Sequence, residues 1–284
     1  PDLIHVYNFV CHLSVYKKTT LDLIGGLNSA FDGAQDWDLV MRYVDKIDSN
    51  SIYHIPRILY HWRLTDNSTA LDINNKKYSI EAAELAINED ILRKNNKANL
   101  KYNFQLQAFI ETPILEEEPL VSIIIPTRNS LKLIKTVTND ILNKTNYSNF
   151  EIIILDNDSN EMETMNWFND IKSNKKVRVI TCPGEFNFSR INNLGVKKAK
   201  GNFLCFVNND ISIDMSDWLK QLVSWGLRKN VGFVGPKLLF PNNSIQHCGI
   251  GLGIGGVAGH LNKGMPNKSK GYALRAACVH NISA

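Results

Sequence analysis

Three short apolar runs in this chain end abruptly in side chains suited to anions, hydroxyls or metal ions. Val121–Ile125 runs into Pro126-Thr127-Arg128-Asn129, Ile152–Leu155 into Asp156-Asn157-Asp158-Ser159, and Phe203–Val207 into Asn208-Asn209-Asp210. A carboxylate such as Asp156 can accept hydrogen bonds from a ribose diol or a pyrimidine N–H. It can equally cap a helix. Asn208 and Asp210 offer oxygen ligands, and Mg²⁺ typically takes one or two carboxylates together with phosphate oxygens. The same residue types dominate turns. Arg128 can pair with a phosphate in a bidentate way or sit solvated in a loop. Arg190, Asn192 and Asn193 fall in Asn187–Gly195, where a helix start would attract phosphate. A polar helix face is the plain alternative. His247 and His260 flank a glycine-rich stretch that reads as a mobile loop closing on substrate.

A second set lies near the beginning. Gly33-Ala34-Gln35-Asp36-Trp37-Asp38 places two carboxylates at i and i+2, which point in different directions on a helix. Asp36, beside an aromatic ring at a helix start, is the candidate general base. A capping residue with a salt-bridged neighbour is the ordinary reading of the same pattern. His54 and His61 flank a strand-like segment, Ile55–Trp62, with Arg63 behind it, and His61 is either a core histidine or a ligand to metal or phosphate.

These groups need elements to position them. Runs of β-branched and aromatic residues read as strands buried on both faces, as in parallel sheets. In open α/β sheets ligands bind beyond the carboxyl ends of such strands, so the three polar clusters point to one shared site. From residue 120 the pattern predicts strand 121–125, helix 131–144, strand 150–155, helix 161–173, strand 177–181, helix 189–199, strand 203–207, helix 218–229 and strand 233–239. That alternation predicts an α/β fold with a mostly parallel sheet flanked by helices. Upstream, residues 79–95 carry a helical apolar repeat, and the polar 94–101 and acidic Glu116-Glu117-Glu118-Pro119 mark a boundary. Three regions result: 1–72, a helical linker 73–119, and 120–284.

Bulk composition sets limits on partners. The 284 residues are 44% hydrophobic and 21% charged, with 32 Lys+Arg against 28 Asp+Glu. A net charge of +4 is too weak to argue for nucleic acid, but it suits an anionic substrate or a membrane surface. The five cysteines are scattered with no CxxC pair, and Cys11 and Cys205 read as core thiols. Such usage favours a reducing compartment. No apolar stretch reaches the roughly 18–20 residues of a membrane span. No signal peptide is evident. A first residue other than Met leads us to expect a piece of a longer chain.

Together these motifs resemble the family 2 glycosyltransferases. The resemblance rests on Val121–Asn129, Ile153–Ser159, Asn187–Gly195, Phe206–Asp210 in the place of the family's DxD element, and Leu238–Gly264. It implies a GT-A-type (Rossmann-like) sheet. Gly25–Leu39 resembles the acceptor-side segment carrying the family's ED motif, with Asp36 as its base, and Ile55–Arg63 resembles the segment that follows. In an intact domain these come after the DxD strand. The resemblance therefore implies the end of one glycosyltransferase domain at 1–72, a helical linker, and the donor half of a second domain at 120–284.

The resemblance further implies inverting transfer of a sugar from a nucleotide diphosphate sugar to a hydroxyl of a glycan or lipid-linked glycan, in cell-surface polysaccharide synthesis. Pro126, Thr127, Arg128, Asp156, Asn157, Arg190, Asn192 and Asn208 would serve the donor. Asp210 and His61 would hold a divalent Mg²⁺ or Mn²⁺. A cytoplasmic place at the inner face of the membrane, with peripheral association, is expected. Two departures stand out: Asn208 replaces the first acid of DxD, and Gln35 replaces the Glu before Asp36. They keep a second reading in play, a non-catalytic nucleotide-sugar or glycan-binding module. A nucleotidyltransferase would want a Gly-rich basic loop after the first strand, which Pro126–Ser130 lacks.

Overall fold

The computed structural model describes residues 3–10, 13–61 and 77–281. Cys11, Trp62, Arg63 and the final Ile282-Ser283-Ala284 lie outside the described residues. The chain divides into two compact units, Leu115–Val234 and the combination of Pro1–Ile114 with Gly235–Ala284.

The first part of the larger unit holds helices α1 (Leu3–Val6), α2 (Lys18–Leu23), α3 (Gln35–Val44) and α4 (Lys77–Arg93), then an antiparallel hairpin, β1 (Ala98–Asn103) and β2 (Ala108–Pro113). Helix α4 buries a stripe of Ala83, Ala86, Ile87 and Ile91 against Val40 and Met41 of α3 and Phe109 of β2. The hairpin lies in the stretch expected to be linker. The expected strand at Ile55–Trp62 is not formed over its described residues. Ile55, Ile58 and Leu59 are exposed, and Pro56 has no N–H to give a ladder.

Three buried ionisable groups tie this part together. His5 Nδ1 lies 2.8 Å from Glu111 Oε2, and its Nε2 lies 2.7 Å from Asp90 Oδ2. Asp90, fully buried, also pairs with Arg93 and with Lys94 at 2.6 Å. One ring thus links α1, α4 and β2.

The unit Leu115–Val234 is the α/β fold expected from the sequence. It runs β3 (Val121–Thr127), α5 (Leu131–Lys144), β4 (Phe150–Asp156), α6 (Met162–Ile171), β5 (Val177–Thr181), α7 (Phe188–Lys198), β6 (Phe203–Phe206) and α8 (Trp218–Gly226). The sheet is parallel throughout, in the order β5-β4-β3-β6. Alternate residues of β3 and β4 face opposite layers. Ile123, Ile125, Ile152 and Ile154 pack with Ile134, Val137 and Ile141 of α5, while Ile124, Ile153 and Leu155 pack with Ile191 of α7. Coverage on both faces explains why these strands read as unbroken apolar runs. Strand β6 differs from expectation: it is an edge strand, with Leu204 and Phe206 exposed. The strand expected at 233–239 shrinks to β7 (Leu238–Leu239), since Gly235-Pro236 interrupts it.

The start of β3 and the approach to β6 meet closely. Gly201 N–H donates to Ser122 Oγ at 2.9 Å, and Ser122 Oγ donates to Glu151 Oε1 at 2.7 Å. A Cβ on Gly201 would sit 2.6 Å from Ser122 N and 2.7 Å from Leu120 O, both backbone atoms that cannot swing away. Gly201→Ala is therefore expected to destabilise the chain by about 1–3 kcal/mol. A urea midpoint unchanged from wild type would contradict this packing.

After α8, short strands β7, β8 (Ile245–His247), β9 (Ile250–Leu252) and β10 (Ala258–His260) form two antiparallel pairs, β7 with β8 and β9 with β10. The glycine-rich stretch expected to be loop thus contains the β9–β10 hairpin.

Candidate functional site

The parallel register delivers the three polar clusters to one sheet edge. Thr127 is level with Asp156, and Val207, just past β6, donates its N–H to Ile124 O at 3.0 Å. A cleft of about 280 Å³ opens there, lined by Pro126, Thr127, Arg128, Asn157, Phe186, Phe188, Ile191, Asn208, Asn209 and Asp210. Residues of all three clusters thus line one cleft.

The loops around the cleft are held by their own side chains. Asn129, in the left-handed region at φ 52°, accepts at Oδ1 from the N–H groups of Asn160 and Glu161. Its own N–H donates to Ser159 Oγ at 2.7 Å. Asp158 Oδ2 accepts from Gly184 N–H at 2.7 Å. These bonds join the loops after β3, β4 and β5. Asn209 Nδ2 donates to Thr127 Oγ1 at 2.9 Å, so the middle residue of the Asn208-Asn209-Asp210 cluster fixes the other two. Lys144 Nζ to Ile213 O and Ile213 N–H to Asp140 Oδ2 anchor the chain beyond it.

Asp156 is buried, and its Oδ1 accepts from Ser159 N–H at 3.0 Å, closing a turn; the cap of α6 is Glu161 instead. Asn157 is 1% exposed and donates to Cys182 O and Gly184 O, yet its Oδ1 has no partner. An unpaired buried acceptor is costly, and this one belongs to a residue of the cleft wall. Asp210 and Arg128 are exposed at the rim.

Arg190 and Asn192 do not line the cleft. Arg190 Nη2 donates to Glu185 O at 3.0 Å, and its N–H is capped by Asn187 Oδ1. Asn192 is buried, donates to Phe188 O, and leaves its Oδ1 unpaired. Sequence reasoning missed Phe186 and Phe188, which are 67% and 52% exposed at the cleft. Two aromatics flanking a capping Asn at a strand-end helix were the available signal.

Asp36 and His61 belong to the other unit. Asp36 lies in the first turn of α3 and accepts from Asn8 Nδ2 at 3.0 Å. Its neighbour Asp38 is buried and grips Arg42, which reaches on to Ile24 O and Gly26 O. The salt-bridged neighbour of the ordinary reading is thus Asp38, while the N-cap is Ala34 and not the half-exposed Asp36. His61 is exposed. No group of three or more His, Cys, Asp or Glu side chains placed to hold a metal ion occurs among the described residues. No helix among them is long and apolar enough to cross a membrane.

The chain is 37% identical over its whole length to an uncharacterized protein of Sinorhizobium fredii, of which it covers 31%. It is 35% identical over 92% of its length to the O-antigen biosynthesis protein RfbC of Myxococcus xanthus, covering 20% of that protein. It is also 25% identical, over 48% of this chain and 58% of the other, to the Escherichia coli UDP-Glc:alpha-D-GlcNAc-diphosphoundecaprenol beta-1,3-glucosyltransferase WfgD. The chain thus spans about a third or less of the first two relatives. Residues 122–270, which include every strand end of the cleft, match Glycosyl transferase family 2, and the chain belongs to that family.

Proposed function

We propose that the cleft binds the nucleoside diphosphate of a nucleotide-sugar donor. The full-length protein would transfer the sugar, with inversion, to a hydroxyl of a glycan or lipid-linked glycan in cell-surface polysaccharide synthesis. The observation that carries this reading is the convergence of Thr127-Arg128, Asn157 and Asn208–Asp210 on one cleft, with the buried Asp156 ending β4 next to Asn157. Asp156 and the unpaired Asn157 Oδ1 supply acceptors for ribose hydroxyls and base N–H groups. Phe186 and Phe188 supply stacking surfaces, and Arg128 a cation for phosphate. The polysaccharide role draws support from the relatives named for O-antigen and lipid-linked glucosyl transfer.

Asp210, with Asn208 beside it, fits a divalent Mg²⁺ or Mn²⁺ that keeps waters and takes phosphate oxygens. Such an ion would neutralise the leaving diphosphate. One carboxylate in place of two favours a weakly held ion. That substitution also favours the second reading, a module that binds donor without transferring it. We assign Asp36 as the base of a preceding tandem domain, with 1–72 as its acceptor-side end and 120–284 as the donor half of the next. The free thiols Cys182, Cys205, Cys248 and Cys278 fit a reducing compartment.

Stacking gives a direct test. Base–aromatic stacking is worth about 1–3 kcal/mol per base, so Phe188→Ala is expected to weaken UDP binding by about fivefold or more. Equal affinity in Phe186→Ala, Phe188→Ala and wild type would remove these rings from the site.

A further inference from the structure

His247 ends β8 and His260 ends β10, thirteen residues apart, and their Nδ1 atoms lie 2.9 Å from each other. The rings are nearly perpendicular, at 88°, with centroids 5.0 Å apart. Neither residue has a part in the donor cleft. We propose that His247 and His260 form a two-histidine site for a divalent late first-row transition ion such as Ni²⁺, Cu²⁺ or Zn²⁺.

The spacing supports chelation. For metal–nitrogen bonds of about 2.0–2.1 Å, nitrogens 2.9 Å apart subtend about 90° at the ion. That is the cis angle of tetragonal and octahedral complexes, the geometries of Cu²⁺ and Ni²⁺. A tetrahedral Zn²⁺ site would need the nitrogens to open to about 3.3 Å. In the structure one Nδ1 faces the other; an ion there takes both rings in the tautomer that carries its proton on Nε2, which leaves both Nδ1 lone pairs for the metal. His247 is half-buried and His260 exposed, so water fills the remaining coordination positions.

The frame behind the rings is built. Cys248 Sγ donates to Leu261 O at 3.2 Å and accepts from Asn262 Nδ2 at 3.3 Å, while Leu261 N–H donates to Gly249 O. These bonds bracket the two histidines, holding His247-Cys248 against His260-Leu261-Asn262. Gly259, next to His260, packs so closely that a Cβ there would meet Ile254 Cγ2 at 2.6 Å. The backbone that carries the two rings is thus fixed before an ion binds, which lowers the cost of ordering the site. Imidazole nitrogen prefers these ions to Mg²⁺ or Mn²⁺, which favour oxygen. The site is therefore chemically distinct from the one proposed at Asp210, and it stands whether or not the donor reading holds.

The test is titration of the whole chain with NiCl₂ and CuCl₂ by calorimetry, with circular dichroism to confirm folding. His247→Gln and His260→Gln should each weaken binding by about tenfold or more, the scale on which even outer-shell partners act. Asp210→Asn should bind these ions as wild type does. Equal affinity in wild type and both histidine variants, or no binding to wild type, overturns the proposal. A measurement on the unaltered chain guards against misfolded variants. Substoichiometric Cu²⁺ should broaden the ring NMR signals of His247 and His260 before those of His5, His12, His54, His61 and His280, and any other order overturns it.

Discussion

Asp156→Asn is expected to weaken nucleoside diphosphate binding by about tenfold to a hundredfold while leaving the fold intact. Hydrogen bonds to a charged group contribute about 1.5–3 kcal/mol, and each 1.4 kcal/mol or so is a factor of ten. Asn keeps the size of Asp and an oxygen for Ser159 N–H, the bond Asp156 Oδ1 makes now. What it removes is the charge and one acceptor at the end of β4, level with Thr127. The measurement is the dissociation constant of UDP for wild type and variant, beside their urea midpoints. Affinities within twofold of each other would remove Asp156 from nucleoside recognition.

The largest expected effect on stability lies elsewhere, at Asp90. Asp90→Ala should destabilise the chain by about 3–5 kcal/mol, the usual cost of breaking a buried ion pair from one side. It would strip His5, Arg93 and Lys94 of a shared, fully buried partner. The network also sets a pH profile. Burial alone would push Asp90 up, but its bonds to His5 and Lys94 bring it down to about 2. Its contribution is therefore present above its unfolded value near 3.8 and fades as pH falls toward 2. Burial alone would pull His5 down, but the carboxylates of Asp90 and Glu111 raise it above 6.5. Its contribution is present in full below 6.5 and fades as pH climbs through the raised value. Urea unfolding from pH 2 to 9 should show both losses in wild type; Asp90→Ala should lack the acid-side loss and show a smaller alkaline-side one, since Glu111 still pairs with His5. A variant within 1 kcal/mol of wild type, as an order of magnitude, would make the network incidental.

The parts of the fold that were legible are those whose burial is symmetric. β3 and β4 are covered on both faces, so their apolar runs stand out, and the helix at 131–144 was expected with its observed ends. The hairpin at 98–113 was not legible. Ala98, Leu100, Tyr102 and Phe109 face its core, while Asn99, Lys101 and Thr112 face out, so the stretch reads as polar linker. Ile55–Leu59 misled in the opposite way, because its apolar residues are exposed and find no partner strand among the described residues.

The site followed the same logic. Residues directly beyond a buried strand were identified together because the parallel register aligns them. Arg190 and Asn192 were expected in the cleft from their helix start, but their side chains turn to Glu185 O and Phe188 O instead. The motif gives Asn209 no role of its own, although its bond to Thr127 positions the cluster. The His5–Asp90–Glu111 network joins residues 85 and 106 positions apart, and no local pattern announces it.

The central claim is that the ends of β3, β4 and β6 make a donor half-site. Calorimetric titration of the chain with UDP, dTDP and GDP, each with and without Mn²⁺, tests it most directly. Saturable one-to-one binding of at least one of them is the expected result, strengthened by Mn²⁺ in wild type and insensitive to it in Asp210→Asn. No heat with any nucleoside diphosphate under either condition would contradict it.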